Sequence, residues 1–186
     1  MLPVALPLGV ALFALLLVSL RRRSRLTWPR AVTAAVVATY AAGIFANTVF
    51  PIYLSLPDSG EPWTPAIALI PFYDYEVQDA LMNIGVFVPL GFLLPLLMRR
   101  ASGWRVVLGA VGISLGIEMA QLATQAFFGG GHIADINDLL WNTVGGAVGY
   151  GIYVLASRTP GLRDLLRRFR WDDASSSLPA PAPARA

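Results

Sequence analysis

Two carboxylic acids in apolar surroundings are the residues of this sequence most able to do chemistry. Glu118 lies inside an apolar stretch and Asp138 lies near the start of another. An ionisable side chain is costly in such a place and usually serves a function. A buried carboxyl group can act as a general acid or base. The sequence therefore offers catalytic groups but leaves open whether the protein is an enzyme.

Helical spacing places these acids among other polar residues. A polar stripe at i, i+4, i+7 and i+11 contains Ser114, Glu118, Gln121 and Gln125. The following stretch repeats this spacing with Asp138, Asn142, Gly145 and Gly149. We expect the stripe to face Asp138 and Asn142. Gly145 and Gly149 form a G-x-x-x-G pattern, which allows close helix packing in lipid, within one chain or in an oligomer.

Depth along the helices predicts that amides from four segments meet. At about 1.5 Å per residue, Asn47 lies about 25 Å from Arg30, the arginine that bounds its segment. The other three amides, Asn83, Gln121 and Asn142, each lie about 24 Å from the arginine that bounds their own segment. Glu118 is about one turn deeper and Asp138 about one turn higher. We predict an outward-facing polar pocket, with Glu118 and Asp138 catalytic if it is an enzyme, and with binding residues Asn47, Asn83, Gln121, His132, Asp135 and Asn142.

Each of these residues also has a purely structural interpretation. Amides in membrane helices often hold neighbouring helices together, at about 0.6 kcal/mol per pair. Asp135 is well placed as the N-cap of the last long helix, with Asp138 in its first turn beside the positive helix end. Neither interpretation excludes a functional role.

The residue types present argue against metal and cofactor chemistry. The chain has no cysteine and a single histidine, His132. Catalytic zinc sites usually take two or three histidines, so we expect no metal. Phosphate-binding glycine loops, dinucleotide-binding glycine patterns and a serine nucleophile motif are not apparent. We expect no cofactor.

Composition predicts that membrane helices position these residues. The 186-residue chain is 56% hydrophobic and only 13% charged, against about 25% charged in soluble domains. Five apolar stretches are each long enough to cross a bilayer, which takes about 20 residues. We predict an all-α, polytopic membrane bundle with crossings at roughly 2–20, 31–50, 80–98, 104–127 and 136–157.

The arginines predict the orientation of the bundle. All 14 basic residues are arginine, and they fall in short runs between the apolar stretches, which does not suggest nucleic-acid binding. The loops 51–79 and 128–135 contain none and are acidic instead. The positive-inside rule therefore places the N-terminus outside and the C-terminus in the cytoplasm. Four crossings, with residues 1–20 peripheral, are the alternative.

Three regions follow from this pattern. Residues 1–30 form the first crossing and a basic loop, 31–158 the main membrane domain, and 159–186 a cytoplasmic segment. In the long loop, the apolar patch 67–70 is too short to span, so we expect it to enter the interface or to cap the bundle. Residues 161–171 predict a basic amphipathic helix on the membrane surface, attracted to anionic lipid. The Pro/Ala/Ser-rich run 174–186 is expected to be disordered.

Four blocks in order resemble the VanZ-like membrane proteins. They are L-I-P-F at 69–72, N-x-x-x-F-x-P-x-G-x-x-x-P at 83–95, E-x-x-Q at 118–121, and D-x-N-D-x-x-x-N-T-x-G at 135–145. Together they span roughly 67–150. Three positions depart from the family pattern. His132 stands where arginine is common, Asn137 where aspartate is common, and Tyr73 where a basic residue is common.

The resemblance implies a multi-pass protein of the bacterial inner membrane with a role in the envelope. The founding member is linked to resistance to teicoplanin, a glycopeptide. Expected partners are membrane lipid and a lipid-linked envelope precursor or a glycopeptide. The alternative is a membrane enzyme that acts on a lipid-linked or phosphorylated substrate. A transporter ranks last, because five crossings cannot be divided into the two equal repeats that transporters often contain.

Overall fold

The computed structural model describes residues 2–49, 67–72, 76–128 and 134–171. Within them, five helices are long and apolar enough to cross a membrane. The all-α polytopic bundle is therefore confirmed. These helices are α1 (Leu2–Arg22), α2 (Trp28–Val49), α3 (Val77–Leu97), α4 (Gly103–Phe128) and α5 (Ile136–Arg158).

Two helices begin earlier than hydropathy alone predicts. α2 begins at Trp28 with Pro29 in its first turn, where a missing N–H is no loss because no intrahelical partner exists. α3 begins at Val77, and its first turn contains Asp79, a charge suited to the positive helix end. Both extra turns are polar or carry proline, so an apolar pattern does not include them.

The helices alternate in direction, which gives the bundle two chemically distinct ends. α3 and α5 run in the same direction, and α4 packs antiparallel to α5, since Ser114 meets Asn142 and Gly103 meets Tyr150. We call the end where α3 and α5 begin the carboxylate end. The opposite end, where arginines follow α1, α3 and α5, is the arginine end.

The closest helix interface is between α3 and α5, and glycines make it possible. A Cβ on Gly145 would strike the carbonyl oxygen of Ile84, and one on Gly149 would strike that of Val88. From the other side, a Cβ on Gly91 would strike the carbonyl of Gly146. The two backbones are thus in direct contact, as close packing of small residues permits. Gly145 and Gly149 pack within one chain, and α3 occupies their face.

Larger side chains fill the space around this contact. One cluster joins Phe87 and Leu90 of α3 to Ala110 of α4. Towards the arginine end, a second cluster joins Leu93 and Leu96 of α3 to Tyr153 of α5. The hydroxyl of Tyr40 on α2 donates to the carbonyl of Val86 at 2.7 Å, in the turn before Pro89. Tyr40 thus ties α2 to α3 at this level of the bundle.

A short sixth helix, α6 (Pro160–Phe169), lies at the arginine end. It has the amphipathic character that the sequence predicts, and it is also tied to the bundle. The Arg30 side chain donates to the carbonyl of Arg170 at 2.8 Å, and Thr33 donates to that of Phe169 at 3.0 Å. The N–H of Trp171 donates to the carbonyl of Leu96 at 2.8 Å. α6 is therefore docked on α2 and α3.

A two-stranded parallel sheet closes the carboxylate end. Strand β1 (Ile67–Ala68) pairs with β2 (Ala134–Asp135), in the register Ile67 to Ala134 and Ala68 to Asp135. The apolar patch 67–70 thus caps the bundle at the start of α5, although Leu69 and Ile70 remain exposed. A strand of two residues has no detectable period in the sequence, so an all-helical prediction misses it.

Candidate functional site

The candidate site lies at the carboxylate end, where α3 and α5 begin and α4 approaches its end. Asp138 in the first turn of α5 accepts a hydrogen bond from the Asn83 side chain of α3 at 2.5 Å. Asn83 and Asp138 are therefore brought together, as their depth predicts. The Asp138 carboxyl group also lies beside the positive end of the α5 helix dipole.

Glu118 reaches the same region from α4. Its Oε2 atom accepts a hydrogen bond from the backbone N–H of Asp135 at 3.0 Å. Asp135 and Asp138 lie close enough to Glu118 for their charges to oppose its own. Three carboxylates from two helices thus share one region, which supports the predicted facing of the two polar stripes.

A second link between the stripes lies deeper in the bundle. Asn142 donates from its side-chain amide to the hydroxyl of Ser114 at 2.9 Å, and both residues are buried. The Oε1 atom of Gln121 is also buried, with no hydrogen-bond partner among the described residues. The polar stripe of α4 therefore contains one group with a hydrogen-bond partner, the Ser114 hydroxyl, and one without a partner in the described part of the chain, the Gln121 Oε1 atom.

Asp135 caps α5 and makes this arrangement rigid. Its side chain accepts from the backbone N–H of Asn137 at 2.8 Å and from the Asn137 side chain at 3.0 Å. The N-cap role of Asp135 is confirmed, with Asp138 in the first turn. Because the Asp135 N–H also binds Glu118, the cap and the intramembrane acid are parts of one network.

Asn137 is a site residue that the sequence alone did not single out. It is buried, and its Oδ1 atom accepts from the backbone N–H of Phe72 at 2.8 Å. It thus joins the loop before α3 to the cap of α5, and Phe72 packs edge-on against Trp141. The sequence does contain a signal for this role, because the side-chain amide of a residue two positions after an N-cap can reach the capping side chain. In the sequence, Asn137 stands out only as a departure from the VanZ-like pattern.

Two predicted site residues are not part of this network. Asn47 lies near the end of α2 and is exposed. His132 lies outside the described residues. In the described part of the chain, no group of three or more histidine, cysteine, aspartate or glutamate side chains could hold a metal ion.

A comparison with protein families identifies the chain. A family profile described as VanZ/LLP1 matches residues 37–157, well over half of the sequence. The chain belongs to the VanZ/LLP1 family. The match includes α3, α4 and all of α5 but its last residue. Phe72 and every other residue of the network therefore lie within the matched range. Searches of curated proteins and of solved structures each found no match.

Membership in the VanZ/LLP1 family gives the network a context but not a reaction. The family resemblance rests on Asn83, Glu118, Asp135, Asp138 and Asn142, and the structure brings these residues to one end of three helices. Asn137 occupies the position where aspartate is common. In this chain its amide both donates and accepts, which a carboxylate could not do.

Proposed function

We propose that this VanZ/LLP1 protein modulates susceptibility to glycopeptide antibiotics, teicoplanin in particular, from the bacterial inner membrane. It does so by binding a lipid-linked envelope precursor or the glycopeptide at the carboxylate end. The observation that carries the proposal is that Glu118 binds the backbone N–H of Asp135, three residues before the Asp138 that pairs with Asn83. The positive-inside rule puts this end on the outer surface, where such ligands are found.

The chemistry of the network suits hydrogen-bonded recognition of a polar group. Carboxylates are acceptors, and the amides of Asn83 and Gln121 can both donate and accept. The described residues at this end include no arginine or lysine. Binding through amides and carboxylates therefore fits a ligand rich in hydroxyl, amide or amine groups, such as a sugar or a peptide.

The test is teicoplanin tolerance in a sensitive Gram-positive host. Expression of the wild-type chain should raise the inhibitory concentration, and Glu118→Gln and Asp138→Asn should abolish the rise. Glu76→Gln is the matched control, since Glu76 is an exposed carboxylate just before α3 at the same end. Equal amounts of each protein in the membrane must be shown by immunoblot. No rise with the wild-type chain would overturn the proposal.

A second candidate is a membrane enzyme acting on a lipid-linked or phosphorylated envelope substrate. The observation that favours it is the Glu118 carboxyl group within the membrane span, with Asp138 nearby. One of the two would serve as general acid or base. Lipid profiles of cells expressing the wild-type chain should then differ from those with Glu118→Gln by one accumulating species. Identical profiles would exclude this candidate and leave the binding function in place.

A further inference from the structure

A basic cleft lies at the other end of the molecule, in the turn between α3 and α4. Arg99, Arg100 and Arg105 line a cavity of about 660 Å³ together with Met98. α3 ends at Leu97 and α4 begins at Gly103, so the cleft is at the arginine end. The cleft is separate from the carboxylate network, and the inference drawn from it does not depend on the function proposed for that network.

Among the described residues, nothing neutralises the three positive charges around this cleft. At the same end, Asp164 lies 3.9 Å from both Arg163 and Arg167 of α6. In the described part of the chain, no carboxylate pairs with Arg99, Arg100 or Arg105. Guanidinium groups gathered at one place repel one another unless an anion lies between them, and their planar forks match phosphate oxygens.

Neighbouring groups hold Arg105 in place. Its Nη1 atom donates to the carbonyl oxygen of Arg100 at 3.0 Å, and its guanidinium carbon lies 5.1 Å from the centre of the Trp104 ring. The negative face of the tryptophan ring attracts a cation stacked on it in this way. Because these contacts already order the Arg105 side chain, it loses less conformational entropy when a ligand binds.

The surroundings favour a ligand that comes from the membrane. Trp104 is 63% exposed, and tryptophan is enriched at the level of lipid headgroups. One turn further into the span, Leu108 is 58% exposed and offers an apolar surface next to the cleft. A lipid can place its phosphate group in the basic cleft and its acyl chain against the apolar surface. The first turn of α4 adds the positive end of a helix dipole.

We propose that this cleft binds the phosphate group of an anionic phospholipid. Phosphate accepts hydrogen bonds from two or three guanidinium groups at once. Basic clefts at the ends of transmembrane helices are known to recognise acidic lipid headgroups. The site would fix the level of α3 and α4 in the bilayer and is formed by residues other than those of the amphipathic helix α6.

The test measures phospholipid binding to the full-length protein in detergent by native mass spectrometry. Dioleoyl phosphatidylglycerol is compared with dioleoyl phosphatidylcholine and with inorganic phosphate. The triple variant Arg99→Gln/Arg100→Gln/Arg105→Gln should bind phosphatidylglycerol at least tenfold more weakly than the wild type. The matched control, Arg163→Gln/Arg167→Gln/Arg168→Gln, removes the same charge from α6 and should bind within about twofold of the wild type, since these arginines do not line the cleft.

A charge-preserving variant guards against a change of membrane orientation in the triple glutamine variant. Arg99→Lys/Arg100→Lys/Arg105→Lys keeps the basic loop but loses the planar forks and the stacking on Trp104, so it should bind several-fold more weakly. Equal losses in the cleft and α6 variants would show diffuse surface attraction and overturn the proposal. Equal binding of both lipids, or displacement of phosphatidylglycerol by millimolar inorganic phosphate, would also overturn it.

Discussion

At the scale of single residues, the partner of each polar side chain determines what that side chain can contribute. Asn142 is satisfied by Ser114, and both are buried, which suits a structural link. Glu118 accepts only a backbone hydrogen bond among those described and lies near two other acids. A carboxyl group within a membrane span is costly because it is removed from water, and nearby acids add to that cost, so Glu118 points to a function rather than to stability.

The link between Asn142 and Ser114 can be measured by a double-mutant cycle. We expect a coupling energy of about 0.6 kcal/mol, and no more than about 1.7, as in other membrane bundles. The variants are Asn142→Ala, Ser114→Ala and the pair, and unfolding in mixed detergent gives the free energies. Strictly additive losses would show that the hydrogen bond at 2.9 Å contributes nothing measurable.

At the scale of the elements, glycine positions decide which helices touch. Gly149 faces α3 so closely that an added Cβ would strike the Val88 carbonyl and lie 3.0 Å from the Gly91 Cα. Gly151, two residues along the same helix, has nothing within 4 Å of an added Cβ. The two residues are identical in type and differ only in the face of α5 on which they lie.

Alanine should destabilise the bundle at Gly149 but have little effect at Gly151. Gly149→Ala should destabilise the bundle by roughly 1–3 kcal/mol or more, because backbone atoms cannot yield as side chains do. Gly151→Ala should be nearly neutral. Thermal unfolding of the purified protein in one detergent gives the comparison. Similar stability of the two variants would argue against the α3–α5 contact.

Docking of α6 rests on Arg30, which is buried and donates to the carbonyls of Arg170 and Arg25. We expect Arg30→Met to leave these carbonyls without a partner and to raise the frequency with which α6 opens by about tenfold or more. Hydrogen–deuterium exchange of the α6 peptide reports this opening. Arg167→Met is the control, since its distant pairing with Asp164 is exposed and contributes little. If the α6 peptide exchanges at the same rate in Arg30→Met as in the wild type, contacts other than those of Arg30 are enough to dock α6.

At the scale of the whole molecule, the two ends of the bundle have opposite charge. Acidic residues gather where α3 and α5 begin, and arginines gather where they end. The first helix, α1, packs mostly on α2 and lies outside the range that matches the VanZ/LLP1 family. The part that matches the family is therefore the second half of α2 together with α3 to α5, and α1 lies beside it.

The orientation of the molecule can be tested because the chain has no native cysteine. Gln78→Cys places a thiol at the carboxylate end and Thr159→Cys places one at the arginine end, and both positions are exposed. A membrane-impermeant maleimide should label Gln78→Cys in intact spheroplasts, and Thr159→Cys only after lysis. Labelling in the reverse order would place the carboxylate end in the cytoplasm and contradict the proposed function.

Much of the fold was predictable from the sequence because hydropathy reports helix length directly. The five spans agree with their predicted bounds to within three residues, and the largest differences occur where Pro29 and Asp79 extend a helix beyond its apolar run. The alternation of arginine runs and acidic loops also follows from the order of residues. Helical spacing was enough to place Ser114 and Glu118 on one face of α4, and Asp138 and Asn142 on one face of α5.

The sequence by itself determined which residues share a helix face and which share a depth, since both follow from the fixed rise and turn of a helix. Only the tertiary structure decided which faces meet. It packed Gly145 and Gly149 against α3, joined Asn137 to Phe72, and left Asn47 exposed. Depth alone could not separate Asn47 from Asn83, because rotation of a helix about its own axis depends on how all its neighbours pack.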